Sequence, residues 1–356
     1  MAAKISTQTI STVTIGSRPI GEHQRTFVIA EAGVNHNGNL GTAIALTEAA
    51  AEAGADAVKF QIFTADELAG SAPTAAYQRA ATGAAGQRDM LRTLELRDED
   101  FRAVAVRARR SGLEFLATPF SIPDLRRLQS SQPAAVKIAS TDINNAPLLT
   151  AAAQTGLPLI VSTGASLREE LDAAVKVLGS AARGRLILLH CVSAYPAPWN
   201  LANLRAIRAM QQRYNLPVGF SDHTTSTQIG ALAVAAGACV LEKHFTLDRG
   251  APGPDHAMSL DPRQLSEYVA AVRRAEEALG SGALGMSAAE LEVRRIARKS
   301  VVAARRIDAG EILTPTMLSL KRPEGGIPPN DFARLVGRVV LTAIEADAPI
   351  HWEMVQ

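Results

Sequence analysis

Eight short runs rich in β-forming residues recur through the first two thirds of the chain, and their spacing constrains the fold more than any other feature. They are FVIAE (27–31), AVKFQ (57–61), EFLAT (114–118), AVKIA (135–139), PLIVS (158–162), LILLHC (186–191), PVGFS (217–221) and CVLEKH (239–244). Between them lie Ala-, Leu- and charge-rich segments with helical periodicity. Most intervals span 21 to 31 residues, about one strand–helix unit; the exception, from 61 to 114, holds the insertion TADELAGSAPTAAYQRAATGAAGQRD. Glycine turns precede several runs (AEAGAD, RRSGLE, QTGLP, AAGA) and end a helix before each new strand. Eight such units predict a (β/α)8 barrel. A doubly wound open sheet is the alternative, but it usually has fewer strands, and no G-x-G-x-x-G follows the first run.

The runs end in polar residues: Glu31, Lys59 with Gln61, Thr118, Lys137 with Ser140, Ser162, His190, Ser221 to His223, and Glu242 to His244. A barrel builds its active site at the C-terminal rim, from several strands at once. A purely structural barrel has no need of ionisable groups on nearly every tip, so the pattern points to an enzyme.

Two tips, GFSDHT and LEKH, carry histidines 21 residues apart. Neutral imidazole is a common ligand for borderline divalent metals, and adjacent strands can bring two to one ion. Two protein nitrogens leave positions open for water and substrate oxygens. A lone strand-end histidine more often hydrogen-bonds within the barrel. Two on neighbouring strands, with Asp222 and Glu242 to orient them, favour the metal.

Lys59 and Lys137 lie inside apolar runs, and a lysine is almost never buried unpaired. Both are expected to point into the barrel mouth and hold a multiply charged anion, with Ser140, Ser162, Ser193 and Ser221 donating hydrogen bonds. Pairing with Glu31 or Glu242 is the competing role, and a Schiff base on either lysine keeps an aldolase in play. Glu31, followed by AGVNHNG, is a candidate general acid or base; its competing role is counter-ion to Lys59. His36 is expected to be structural, and His23, His256 and His351 support nothing specific.

The totals set outer bounds. The 356 residues suffice for a barrel and a smaller domain, and 47% hydrophobic residues can build a large core. Aromatics are only 4%, which suits Ala-rich helix packing better than a β-sandwich. With a net charge of +2 and no uninterrupted basic run, nucleic acid is not an expected partner. Cys191 and Cys239 sit in apolar runs and read as small buried hydrophobes of a reduced compartment. MAAKISTQTISTVTIG lacks a signal-peptide core, and the longest apolar run, 229–241, is too short for a membrane span. A cytoplasmic protein without membrane contact is expected. After helical segments at 261–280 and 287–300, short β-prone runs with glycine and proline replace long helices. The predicted division is a barrel over 1–284, a linker helix over 285–298 and a small β-rich domain over 299–356.

The same residues resemble a known family, the sialic acid synthases. The matching motifs are IAEAGVNHNG (29–38), DAVKFQ (56–61), ATPFS (117–121), KIAS (137–140), STG (162–164), HCVSAYPAP (190–198), GFSDHT (219–224), EKHFTLD (242–248), PGPDH (252–256) and KRPEGG (321–326). They run in order from about residue 17 to the C-terminus. The resemblance implies condensation of phosphoenolpyruvate with an open-chain N-acylated hexosamine, giving a nine-carbon 2-keto-3-deoxy sugar acid and phosphate. It implies a (β/α)8 barrel followed by an antifreeze-like SAF domain, in a homodimer where that domain caps the partner's barrel. His223 and His244 then resemble ligands of a divalent metal, usually Mn2+ with Mg2+ or Co2+ as alternatives, and Glu242 stands behind them. Lys59, Lys137, Ser140, Ser162, Ser193 and Ser221 resemble the phosphoenolpyruvate pocket. Gln61, Thr118, Phe120, Tyr195 and Asp255 resemble contacts to the acceptor sugar, which Arg322 would reach from the partner's cap, and Glu31 resembles the catalytic carboxylate.

Some positions depart from the N-acetylmannosamine-using pattern. Ser193 stands where asparagine is common, and Arg298-Lys299 replaces an aromatic residue. The insertion SAPTAAYQRAATG looks more like the legionaminic acid synthases, which use a 2,4-diacetamido-6-deoxymannose, and AGVNHNG argues against the pseudaminic branch. The acceptor therefore stays open between those two sugars and a mannose-type one. Two other classes compete: an aldolase on the same barrel, which releases no phosphate, and a non-catalytic carbohydrate- or ice-binding module.

Overall fold

The eight runs form strands that close on one another. A computed structural model describes residues 11–71 and 73–356. A short hairpin comes first, β1 (Val13–Ile15) and β2 (Arg18–Ile20), turning at Gly16, whose φ of 58° suits glycine. The barrel strands follow: β3 (Phe27–Gly33), β4 (Ala57–Ile62), β5 (Glu114–Pro119), β6 (Ala135–Ile138), β7 (Leu159–Ser162), β8 (Leu186–Cys191), β9 (Val218–Asp222) and β10 (Val240–His244). They pair in parallel in chain order, and β10 returns to β3 to close the cylinder. Helices such as Leu40–Glu52, Asp98–Arg110 and Pro262–Leu279 cover the outside.

Because side chains alternate along a strand, each barrel strand has an inner and an outer row. Below the strand tips the outer row is apolar and packs under the helices through Val28, Val58, Phe60, Phe115, Val136 and Leu241. The inner row changes character along its length. Phe27 and Ile29 precede Glu31, Ala57 precedes Lys59 and Gln61, and Val240 precedes Glu242 and His244. The lower inner residues form a separate core with Val13, Ile15 and Ile20 of the hairpin, which closes the N-terminal end. No space is left at that level: a Cβ on Gly219 would lie 2.3 Å from the Val240 carbonyl oxygen and 2.6 Å from Leu189 Cδ2. A filled lower half leaves the upper half as the place for chemistry.

The chain divides into two units between Ser281 and Gly282. In the second, a 3-10 turn at Ala288–Glu290 and a helix at Leu291–Ala297 precede an antiparallel pair, β11 (Ser300–Ala303) with β12 (Leu318–Lys321). Its own core includes Val301, Ile307, Leu313, Ile327, Leu335 and Ile350. Among the described residues no helix is long and apolar enough to cross a membrane.

Candidate active site

A cavity of about 550 Å³ opens at the C-terminal ends of the barrel strands. Every residue expected from the sequence to hold substrate or metal or to act in catalysis lines it except Arg322, which belongs to the second unit and is exposed there; His190 and Asp222 do not line it. The strands deliver the charged residues in register: His244 lies opposite Glu31, Glu31 opposite Lys59, and Glu242 opposite Ser221.

Four buried charges make the floor. Lys59 Nζ lies 2.8 Å from Glu31 Oε2 and 3.8 Å from Glu242 Oε2, and donates to Thr118 Oγ1 at 2.9 Å. Lys137 Nζ lies 3.2 Å from Glu242 Oε1, which also accepts from Ser221 Oγ at 2.9 Å. Burial opposes the Glu242 anion, but Lys137, Lys59 and the serine outweigh it and hold its pKa at about 2. Burial also opposes the Lys59 ammonium, yet Glu242 and Glu31 lift its pKa above the ordinary lysine value. Lys137 goes the other way, because desolvation prevails over its single close carboxylate. Glu31 is raised chiefly by burial, with Lys59 opposing and Glu242 adding repulsion. Asp255 is pushed up to about 7, first by burial and then by Glu31.

A bulge in β3 brings the two carboxyl groups together. Gly33, at φ 54°, exposes its backbone between Glu31 Oε1, Gln61 Nε2 and Asp255 Oδ2, which would lie 3.4, 3.6 and 3.7 Å from an added Cβ. Across the floor, the lack of a side chain at Gly164 lets two hydroxyls and a thiol pack directly on its backbone. A Cβ there would fall 2.4 Å from Ser193 Oγ, 2.6 Å from Cys191 Sγ and 3.1 Å from Ser140 Oγ. Gly164 N–H donates to Ser140 Oγ at 2.9 Å, and Ser162 Oγ is buried with no hydrogen-bond partner. Small hydroxyls that line one cavity with two ammoniums suit an anion.

His223 and His244 project into the cavity with ring centroids 5.6 Å apart, and the Tyr195 ring lies 4.4 Å from His223. His223 Nδ1 is 2.8 Å from the Val192 carbonyl oxygen, so it carries the proton and its Nε2 keeps the lone pair. His244 Nδ1 is buried without a partner. Burial lowers both pKa values, and His223 lowers that of His244 further, so both rings are neutral, the ligating form. The pair fits a divalent cation that takes its other ligands from water and substrate. Among the described residues, no group of three or more His, Cys, Asp or Glu side chains gathers for a metal.

Some expectations need correction. His190 faces outward and its Nε2 meets the Ala202 carbonyl oxygen at 2.9 Å, so it is no part of the rim. Asp222 does not orient a histidine ring; it also faces outward, paired with Lys243 at 2.7 Å. Cys191 is more than a small hydrophobe, since its sulfur lies 3.1 Å from Ser140 Oγ on the cavity floor. His36 is structural as expected: burial lowers its pKa to about 4 and its Nδ1 accepts from the Gly38 N–H. The sequence reading missed an apolar flank. Val34, Leu68, Met90, Leu91, Leu94 and Phe120 line one side of the cavity, beside the amides of Gln78 and Gln87. Leu68 belongs to the insertion and Met90, Leu91 and Leu94 follow it directly; together with Ala65 and Ala69 they form a small core with Val34, Phe63 and Phe120.

A charged floor, paired imidazoles and an apolar flank are thus combined in one barrel mouth. The NeuB family model matches residues 46–283, and the SAF domain model matches residues 298–356. The chain belongs to the NeuB family. The N,N'-diacetyllegionaminic acid synthase of Legionella pneumophila is 40% identical over 96% of this chain and 98% of its own length. That of Campylobacter jejuni is 39% identical, covering 92% of this chain and 99% of its own. Among solved structures, the N-acetylneuraminic acid (sialic acid) synthetase of Leptospira borgpetersenii, in complex with citrate, superposes with a TM-score of 0.73. It is 36% identical and covers 80% of this chain and 96% of its own. This NeuB-family chain is therefore an enzyme of the synthase type, with a barrel followed by a SAF domain.

Proposed function

We propose that the protein condenses phosphoenolpyruvate with an open-chain N-acylated hexosamine, releasing phosphate and a nine-carbon 2-keto-3-deoxy sugar acid. The observation that carries this reading is the floor, where two buried ammoniums line one cavity with the hydroxyls of Ser140, Ser162, Ser193 and Ser221. Lys59, Lys137 and the serines hold the phosphate and carboxylate of phosphoenolpyruvate, keeping its C3 toward the imidazoles. When bound by His223 and His244, a divalent cation, Mn2+ before Mg2+ or Co2+, supplies Lewis-acid polarisation of the aldehyde.

The new bond joins C3 of phosphoenolpyruvate to the aldehyde carbon. Water then adds to C2, and the C2–oxygen bond to phosphate breaks as the ketone forms. One proton of that water passes through Glu31 to the former aldehyde oxygen, and the other leaves on phosphate. A carboxyl whose pKa is raised by burial is a better base for this transfer than an exposed one. Lys59, 2.8 Å away, stabilises the carboxylate form.

Within this class the apolar flank favours a 2,4-diacetamido-6-deoxymannose over N-acetylmannosamine. A methyl at C6 and a second acetyl suit Met90, Leu91 and Leu94, while Gln78 and Gln87 suit amide groups. The names of the two legionaminic acid synthase relatives support the same choice. The proposal extends to a cytoplasmic homodimer, as the resemblance to sialic acid synthases implies. Phosphate release decides the reaction. It should require phosphoenolpyruvate and an N-acylated hexosamine together, vanish with EDTA and return with manganese. Release from phosphoenolpyruvate alone, or reversible cleavage of the product without phosphate, would defeat the proposal.

A further inference from the structure

Next to the two histidines in the chain, on the outer face of the strands, lies a buried ion pair that the proposed reaction does not touch. Asp222 and Lys243 are cross-strand partners on β9 and β10, each one residue before a histidine, and both side chains are wholly shielded from solvent. Lys243 Nζ donates to Asp222 Oδ2 at 2.7 Å and to the Thr224 carbonyl oxygen. Asp222 Oδ1 accepts from the Thr224 N–H at 2.8 Å. The ammonium also lies 5.5 Å from the centre of the Tyr268 ring. That ring packs on Gly230, where a Cβ would lie 2.4 Å from Tyr268 Cζ.

The consequence for His223 is geometric. Its backbone is bracketed by Asp222 and Thr224, and Lys243 grips both. Its ring is fixed separately by the Val192 carbonyl. Lys243 is in turn the chain neighbour of His244. One ammonium thus ties together the two strand ends that carry the imidazoles, where apolar packing alone would leave the carbonyl of Thr224 without this donor. Burying such a pair is expensive in desolvation, and well-packed apolar residues can replace one without loss of stability. What apolar residues cannot supply is the directional hold on Thr224 and hence on His223.

We infer that Asp222 and Lys243 are positioning residues that set the spacing of His223 and His244 for a divalent cation. This rests on the reading of the two histidines as its ligands. The test compares the wild type, Asp222→Leu/Lys243→Met, Asp222→Asn and His244→Ala, by thermal unfolding and by Mn2+ titration followed by electron paramagnetic resonance. The double variant should unfold near the wild-type temperature yet bind Mn2+ about 10–100-fold more weakly, the usual effect of losing an outer support. Asp222→Asn keeps the side-chain shape and an acceptor for Thr224, and should weaken Mn2+ several-fold even if the double variant does not fold. Wild-type Mn2+ affinity in either variant would overturn the positioning role alone. Equal binding by the wild type and His244→Ala would overturn the cation site as well.

Discussion

At the scale of single residues, burial and the charges that folding brings together, not sequence neighbours, decide how the site titrates. Asp255 has the acid strength of a weak imidazolium, with a pKa of about 7, because it is buried beside the Glu31 carboxylate. An unfolded chain would ionise it near pH 4. Between those values the folded state holds a proton that the unfolded state has released. Its contribution to stability is therefore complete below about pH 4 and lost as pH rises through about 7. The slope is at most about 1.4 kcal/mol per pH unit. Asp255→Asn removes the titration, so in chemical denaturation the variant should gain stability over the wild type as pH rises from about 5 to 8. A constant difference across that range would show that Asp255 ionises normally. Lys243→Met alone should cost about 3–5 kcal/mol, since it strands a buried Asp222 carboxylate, and equilibrium unfolding measures it.

At the scale of elements, the barrel strands were legible in the sequence because each is a short apolar run with a charged tip and a glycine turn before it. The inner residues Glu31, Lys59, Lys137, Glu242 and His244 were legible for the same reason: an ionisable group inside such a run has to face a cavity or a partner. Which face a polar tip takes was not legible where both faces are polar. His190, Asp222 and Lys243 sit next to inner residues, and only the closed register reveals that they face the helices. The hairpin β1–β2 has strands of three residues, too short to carry a period. The apolar flank needed tertiary structure, because Met90, Leu91 and Leu94 meet Val34 and Phe63 only across the folded insertion. The hairpin's task is packing. Ile15 is fully buried in the lower core, so Ile15→Ala should lower stability by about 2–5 kcal/mol. Mn2+ affinity of the folded variant should stay unchanged, because the cavity lies at the other end of the strands. A parallel loss of Mn2+ binding would mean that the two halves of the barrel are not independent.

For the whole molecule, charge is nearly balanced, and the same balance recurs in miniature at the site. The chain carries a net charge of +2, and the floor sets two ammoniums against two carboxylates. Phosphoenolpyruvate, the substrate proposed above, would bring negative charge into this neutral, buried cluster. Its arrival raises the pKa of every group nearby, by repelling the carboxylates and favouring the ammonium form of Lys137. Asp255 at about 7, Glu31 above its usual range and Lys137 below its own are already poised to respond. Binding should therefore take up protons, and affinity should fall as pH rises above about 7. At about pH 8 the ligand phosphate is fully ionised, so any proton taken up enters the protein. Calorimetric titrations in two buffers of different ionisation heat should then differ in observed enthalpy. The number of protons should shrink with Asp255→Asn, and again when Mn2+ supplies positive charge first. Identical enthalpies in both buffers would mean that the floor accepts the anion without adjusting its own charge, and that Lys59 and Lys137 alone neutralise it.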